Sequence, residues 1–193
     1  MEPKPTLESV RDTEDCRRIR EIAYEVGAFL TGDFTLTSGK KSRYYIDGKR
    51  MTLTPEGAYR IGRAIFDDLS ESEVDAVGGV ATGAYPMVTA LAVVSYQAAN
   101  PLPVFVVREE TKGYGTNRRI EGHLKEGARV AILEDVLTTG GSVMKAIKAV
   151  EAVGAKVVKV IAIVDRDEGG RRMLEDAGYD FTALLRVSFE RDS

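Results

Sequence analysis

The segment VAILEDVLTTGGS, from Val130 to Ser142, contains the residue types that a phosphate-binding turn needs. Gly140 and Gly141 lack a Cβ, so the backbone can turn tightly and present its N–H groups to an anion. A helix predicted to begin at about Gly141 would add unpaired N–H groups and the positive end of its dipole. Hydroxyl donors come from Thr138, Thr139 and Ser142. Thr138 to Ser142, the cradle, is therefore predicted to hold a monophosphate.

Two adjacent carboxylates, Glu134 and Asp135, precede the cradle. They would repel a phosphate if they faced it, whereas the vicinal hydroxyls of a ribose are donors that carboxylates accept. We therefore predict a phosphorylated ribose as the ligand. The segment is not a Walker loop, because no Gly-Lys-Ser/Thr follows at the required spacing. The alternative is an ordinary strand–loop–helix connection with a polar helix cap.

Alternating strands and helices are predicted to position the cradle. Apolar runs indicate strands at residues 75–80, 103–107, 129–133, 156–164 and 181–187. Helical patterns cover residues 13–26, 84–99, 141–153 and 168–177, and a further helix opens at Thr54-Pro55. This order predicts an α/β fold with a parallel sheet covered on both faces, whose ligands bind at the carboxyl ends of the strands. Strands at 34–37 and 43–47 predict a hairpin in a small N-terminal α+β piece.

Composition excludes several classes of protein. The chain has 193 residues, the size of one ordinary domain, and its net charge of −3 argues against a general nucleic-acid binder. A single cysteine, Cys16, allows neither an internal disulfide nor a multi-cysteine zinc site. Neither a secretory signal nor a run of 18 apolar residues is present, so we expect a cytoplasmic protein without a membrane span.

A long connection joins the runs PVFVV and RVAIL. From Arg108 to Arg129 it holds six Lys or Arg and four Glu, a local charge of +2 in a chain of −3. A connection of this length in a compact domain is typical of a functional lid, and its basic charge suits a pyrophosphate. The alternative is a solvated β-hairpin.

Five motifs resemble one family across about residues 27–187, and they follow one another along the chain in the same order as in that family. VAILEDVLTTGGS is similar to the signature of type I phosphoribosyltransferases that binds phosphoribosyl pyrophosphate (PRPP). RxxxKxYGTxxxIEG resembles the catalytic loop of the orotate phosphoribosyltransferases, and GDFTLTSGKKSRYYID resembles their base-covering hood. GGVATGAYP and VDRDEGGR match the pyrophosphate loop and the segment after the following strand. The resemblance implies the type I phosphoribosyltransferase fold, with a mostly parallel central sheet flanked by helices.

The resemblance also implies a domain organisation and an activity. It implies a single domain, with the hood at about residues 1–53 and the core at about 54–187. Orotate and PRPP would give orotidine 5′-monophosphate and pyrophosphate, in the de novo synthesis of UMP. Mg²⁺ would be the cofactor, carried mainly by PRPP without a direct protein ligand. The enzyme would be a homodimer.

Site residues follow from the motifs position by position. Lys112 would be the catalytic lysine that reaches the neighbouring subunit's site. Arg108 would bind pyrophosphate, and Tyr114 would help hold the loop closed over it. Glu134 and Asp135 would contact the ribose and favour its cationic transition state. The remaining PRPP contacts would be Val136, Leu137, Thr138, Thr139, Gly140, Gly141 and Ser142.

Orotate would be bound by Thr138 and Arg166. The ordinary alternative for Arg166 is a salt bridge with Asp165 or Asp167. The sequence departs from many or some members at four positions. Thr37 and Gly83 stand where lysines occur, and Glu109 stands where a second basic residue occurs. Tyr114 replaces a histidine of bacterial relatives, although tyrosine also occurs in the family.

Two other functions remain open at this point. A phosphoribosyltransferase for a purine or for uracil would share the cradle. A PRPP-sensing transcriptional regulator could be built on the same fold.

Overall fold

The computed structural model describes residues 3–35, 39–108 and 119–190. The strands are β1 (Lys4–Ser9), β2 (Phe29–Thr35), β3 (Lys41–Ile46), β4 (Ala76–Val80), β5 (Val104–Val107), β6 (Ile120–Gly122), β7 (Arg129–Leu137), β8 (Lys156–Asp165) and β9 (Phe181–Glu190). The helices are α1 (Glu14–Glu25), α2 (Lys49–Thr52), α3 (Pro55–Leu69), α4 (Ala84–Gln97), α5 (Gly141–Glu151) and α6 (Gly170–Asp176).

Seven strands form the central sheet in the order β1-β9-β8-β7-β4-β5-β6. The five inner strands pair in parallel, while β1 and β6 pair antiparallel at the two edges. The predicted α/β fold with a mostly parallel sheet is therefore confirmed. Because β4 and β7 are neighbours, the segments that follow them, 81–83 and 138–140, emerge side by side at the carboxyl edge of the sheet.

Helices cover both faces of this sheet. One buried cluster joins α1, α3 and α4 to the sheet through residues such as Ile19, Ile65 and Leu91, all almost completely buried. A second cluster packs α5 and α6 on the other face through Ile147 and Leu174. Two buried layers on one sheet explain why its inner strands are apolar on both sides.

Local signals in the sequence fix where two of these helices begin. The Thr13 hydroxyl accepts a hydrogen bond from the Cys16 amide at 3.2 Å, and the Thr54 hydroxyl accepts one from the Gly57 amide at 3.1 Å. Pro55 follows Thr54 at the first helical position, where its missing N–H costs no hydrogen bond. These caps determine the residues at which α1 and α3 begin.

Two element boundaries predicted next to the cradle were wrong, and the strand β1 was missed. The strand that begins at Arg129 continues to Leu137, so the acidic pair lies in β7 and not in a loop. β1 was missed, although it pairs with β9 in the central sheet. α6 begins at Gly170, two residues after the predicted start.

The hairpin near the N-terminus forms a separate two-stranded sheet of β2 and β3. Its first strand begins at Phe29, five residues before the predicted strand, and Thr37 lies outside the described residues. Phe29 and Tyr44 are buried and their rings lie 5.8 Å apart, which attaches the hairpin to the apolar interior. Within the described part of the chain, no helix is long and apolar enough to cross a membrane.

Candidate active site

The cradle is built mainly from backbone. Gly140 adopts a left-handed conformation, with φ 81° and ψ 2°, and its carbonyl accepts the first hydrogen bond of α5 from the Met144 amide. Side chains are rarely found in this conformation, so a glycine is needed here. Gly141 and Ser142 are exposed at the start of α5, and no atom lies within 4 Å of the place where a Cβ of Gly141 would be. The cradle therefore presents amide groups to open space.

The start of α6 supports the cradle from behind. The Gly170 amide donates to the Thr138 carbonyl at 2.9 Å, and a Cβ on Gly170 would lie 2.5 Å from that oxygen. The methyl group of Met173 packs against Gly140 so closely that a Cβ on Gly140 would clash with it. The glycine pair at 169–170 is thus part of the site. The sequence carried this signal in DEGGR, but only the fold shows what the glycines touch.

The acidic pair lies near the end of β7, with both side chains partly buried. One Asp135 oxygen, Oδ1, accepts a hydrogen bond from the Val136 amide at 2.9 Å. The carboxylate sits between two glycines: a Cβ on Gly83 would lie 2.7 Å from the Asp135 Cγ, and a Cβ on Gly48 would lie 3.0 Å from the Asp135 Cβ. A lysine at position 83, as in some relatives of this motif, would require Asp135 to move. Gly83 therefore makes room for the aspartate.

Arg166 is held beside the cradle. Its backbone amide donates to the Leu137 carbonyl at 3.0 Å, and its side chain is only 6% exposed. The guanidinium carbon lies 4.7 Å from the centre of the Tyr44 ring, a cation–π contact. Tyr44 also donates from its hydroxyl to the Arg166 carbonyl at 3.3 Å, and burial raises the pKa of Tyr44. The β2–β3 hairpin thus covers one side of this cation.

The salt bridge of Arg166 differs from the predicted alternative. Its partner is Glu168, at 2.9 Å between Nη2 and Oε1, and not Asp165 or Asp167. Asp165 is fully buried and instead pairs with Arg171 at 2.9 Å. Within the described residues, the Nε atom of Arg166 is buried without a hydrogen-bond partner. A buried donor of this kind is costly, which indicates a site prepared for an acceptor.

Arg108 lies at the other side of the carboxyl edge, immediately after β5. Its Nη1 contacts Glu121 Oε1 at 3.0 Å, and Tyr85 donates to the other oxygen of Glu121 at 2.9 Å. A cavity of about 170 Å³ opens beside it, lined by Val80, Val107, Arg108, Arg119, Ser142, Lys145 and Ala146. Three cations and a hydroxyl in a small space favour an anion.

The described structure brings most of the predicted site residues to one edge. Glu134 and Asp135, the cradle, Arg166 and Arg108 all follow or end neighbouring parallel strands. Lys112 and Tyr114 lie outside the described residues, as does Glu109. Sequence reasoning missed Tyr44, Glu168, Gly48 and Gly170. Tyr44, Gly48 and Gly170 contact residues distant in sequence, so no local pattern identifies them, whereas Glu168 lies only two residues from its partner Arg166.

Comparisons with known proteins agree with this geometry. Residues 52–184 match the family model described as a phosphoribosyl transferase domain. The chain is 50% identical to the orotate phosphoribosyltransferase of Aquifex aeolicus over 155 residues, which cover 80% of this chain and 85% of the relative. It is 42% identical to the orotate phosphoribosyltransferase of Methanothermobacter thermautotrophicus over 180 residues, covering 93% and 96%.

Solved structures show the same likeness. The crystal structure of Mycobacterium tuberculosis orotate phosphoribosyltransferase in complex with Fe(III) dicitrate superposes with a TM-score of 0.78 at 34% identity, covering 89% of this chain and 96% of the other. Adenine phosphoribosyltransferase from Thermoanaerobacter pseudethanolicus, at 20% identity and a TM-score of 0.61, covers 86% and 98% and shares the fold alone.

Proposed function

The chain belongs to the orotate phosphoribosyltransferase family, and from this premise we propose how its residues carry out the reaction. The reaction joins orotate to the ribose of PRPP and releases pyrophosphate, giving orotidine 5′-monophosphate in pyrimidine (UMP) biosynthesis.

The observation that carries the residue assignment is that a cation and the cradle share one edge of the sheet. The cradle would bind the 5-phosphate through its amides and hydroxyls, and Glu134 and Asp135 would accept hydrogen bonds from the ribose hydroxyls. The carboxylate of orotate would pair with Arg166, whose Nε needs an acceptor. Thr138 lies close to both groups. Its carbonyl accepts a hydrogen bond from the Gly170 amide, and the carbonyl of the preceding residue, Leu137, accepts one from the Arg166 amide.

Arg166 also supports orotate over other bases. Uracil and hypoxanthine lack the carboxylate, so they would leave the buried guanidinium without a charged acceptor. A site built for a polar group discriminates strongly against an analogue that lacks it. No described feature favours a purine enzyme or a transcriptional regulator.

Charge development decides the roles of the remaining residues. Displacement at the anomeric carbon passes through an oxocarbenium-like state, positive on the ribose and negative on the leaving group. Glu134 and Asp135 would stabilise the positive charge, while Arg108, Lys112 and Tyr114 would hold the departing pyrophosphate. Asp135 and Arg108 already have fixed partners in Val136 and Glu121, so they would stabilise charge where it appears.

Mg²⁺ fits this site as a companion of PRPP. Mg²⁺ would be held mainly by the phosphates of PRPP, because Glu134 and Asp135 are assigned to the ribose hydroxyls and, among the described residues, no three potential ligand side chains lie together. When bound, Mg²⁺ would neutralise charge on the pyrophosphate oxygens. Protein side chains would still orient the ribose and the base.

A second copy of the chain would complete the site. A groove of about 750 Å³ between α3 and α4 is lined largely by apolar residues, including the exposed Leu53, Tyr59 and Val93. A large exposed apolar surface is typical of an interface. The groove also includes Tyr85, which contacts Glu121 at the root of the segment that carries Lys112. We therefore propose this groove as the surface through which two copies of the chain associate.

We propose a cellular location for the reaction as well. We place the enzyme in the cytoplasm, where its buried thiol, Cys16, would remain reduced.

Orotate turnover tests the activity directly. With PRPP and Mg²⁺, the ultraviolet absorbance of orotate should fall, while uracil and hypoxanthine run in parallel should not be consumed. Absence of orotate consumption, or faster use of another base, would overturn the proposed function.

The role of Lys112 is tested by removing it. Lys112→Ala should lower kcat by orders of magnitude and leave the circular dichroism spectrum unchanged, because only charge at the leaving group is lost. If the lysine acts across the dimer, mixing this variant with Asp135→Asn should recover part of the activity, since one site per mixed dimer is intact. A near-normal rate for Lys112→Ala contradicts the assignment.

A further inference from the structure

Glu121 connects two segments that border the proposed pyrophosphate site. Its Oε1 contacts Nη1 of Arg108 at 3.0 Å, and its Oε2 accepts a hydrogen bond from the Tyr85 hydroxyl at 2.9 Å. Each oxygen of the carboxylate therefore has a donor on a different element. The same bond raises the pKa of Tyr85, so the phenol keeps the proton that it donates.

The backbone fixes where this contact lies. Arg108 follows β5, and its amide donates to the Arg119 carbonyl at 2.8 Å, which continues the ladder between β5 and β6. Tyr85 is the second residue of α4, two positions after the glycine that packs against Asp135. Glu121 thus ties the strand that carries Arg108 to the turn beside the acidic pair.

We infer that Glu121 is a positioning residue, which orients the Arg108 guanidinium towards the pyrophosphate group of PRPP. This inference rests on the proposed function of Arg108. Arg108 is a long side chain at the protein surface, and binding a ligand with it normally requires ordering it. Glu121 orders it beforehand, and a guanidinium has five N–H donors, so the contact through Nη1 leaves others for phosphate oxygens.

Glu121 also has an opposite effect on PRPP binding. Its negative charge lies close to the incoming anion and would weaken binding through repulsion. Both groups border solvent, with Arg108 at 27% and Glu121 at 45% side-chain exposure, and solvent screening reduces that repulsion. The geometric contribution does not depend on screening, so we expect orientation to dominate.

Substitutions separate orientation from charge. Glu121→Ala should raise KM for PRPP about threefold to tenfold, the cost of ordering one long side chain on binding, with kcat and the KM for orotate within about twofold of wild type. Glu121→Gln should recover most of the loss, because the amide oxygen still accepts from Arg108. Tyr85→Phe removes only the second anchor and should raise KM about twofold. Glu8→Ala, which breaks the exposed pair with Arg186, is the matched control and should have no effect.

A double-mutant cycle identifies the route of the effect. If Glu121 acts through Arg108, the Arg108→Ala/Glu121→Ala protein should have the same PRPP affinity by calorimetry as Arg108→Ala alone. Additive losses, or an unchanged or lower KM for Glu121→Ala, would overturn the inference. Tyr85→Phe gives an independent result if Glu121→Ala does not fold. Failure of the wild type to consume orotate would refute the proposed function. The double-mutant cycle would still test the role of Glu121, because it measures PRPP affinity and not turnover.

Discussion

The cradle and the Arg166 pocket lie next to each other, yet they are made in opposite ways. The cradle depends on side chains that are missing: Gly140 turns the chain, and Gly170 allows α6 to approach the Thr138 carbonyl. The Arg166 pocket depends on side chains that are present, because Tyr44 and Glu168 surround the guanidinium. We infer that the 5-phosphate, common to the whole family, is bound mainly by backbone, and the carboxylate of orotate by a side chain.

The largest expected effect separates the two regions completely. Arg166→Ala should raise the KM for orotate about tenfold to hundredfold, because a hydrogen bond to a charged group contributes about 1.5–3 kcal/mol. PRPP affinity measured without orotate should stay within about twofold. Arg172→Ala, which removes an 88% exposed arginine side chain of α6, is the control. Equal losses for both substrates would mean that the two regions are one unit.

Adding a methyl group at Gly170, which packs against the cradle, should have the next largest effect on PRPP binding. Gly170→Ala places a Cβ 2.5 Å from the Thr138 carbonyl, so it should reduce stability by about 1–3 kcal/mol and weaken PRPP binding about tenfold.

Gly141→Ala adds the same methyl group where no protein atom lies within 4 Å. It should leave the Tm unchanged or raise it slightly, since alanine favours a helix, and yet weaken PRPP binding. Thermal unfolding together with PRPP titration measures both variants. Normal PRPP affinity in Gly141→Ala would show that the ligand does not approach this backbone.

The smallest expected effect concerns the hairpin. Tyr44→Phe keeps the ring over Arg166 and removes the hydroxyl that donates to the Arg166 carbonyl at 3.3 Å. This long hydrogen bond belongs at the lower end of about 0.5–1.5 kcal/mol, so the KM for orotate should rise about twofold to threefold. Tyr179→Phe, which loses a surface hydrogen bond to Glu151, should leave that KM unchanged. A larger effect on PRPP than on orotate would contradict the division.

This division also explains what could be predicted from the sequence. The cradle was predictable because its glycines, hydroxyls and acidic pair are consecutive and follow an apolar strand. The fold class was predictable because apolar strands alternate with helices. Tyr44 and Arg166 are 122 residues apart, and their contact depends on how the hairpin lies on the sheet. Gly83 was interpreted as a lost lysine, whereas the close approach of Asp135 supplies a steric reason for the glycine.

The edge strand β1 shows the same limit. Its sequence, KPTLES, is short, largely polar and contains a proline, so it shows no strand pattern of its own. Their pairing is determined by β9, at the other end of the chain. Edge strands are commonly short and polar, which prevents them from pairing with other molecules.

That pairing has a consequence for how the protein is made. β1 precedes the other described strands along the chain and its partner β9 follows them, with Leu7 opposite Val187. The edge can close only after all the intervening strands have been synthesised. Contacts between such distant parts of a chain form slowly, because the entropy of closing the loop must be overcome first. β1 should therefore stay unpaired until β9 has been synthesised, and its short, largely polar sequence should limit aggregation during that interval.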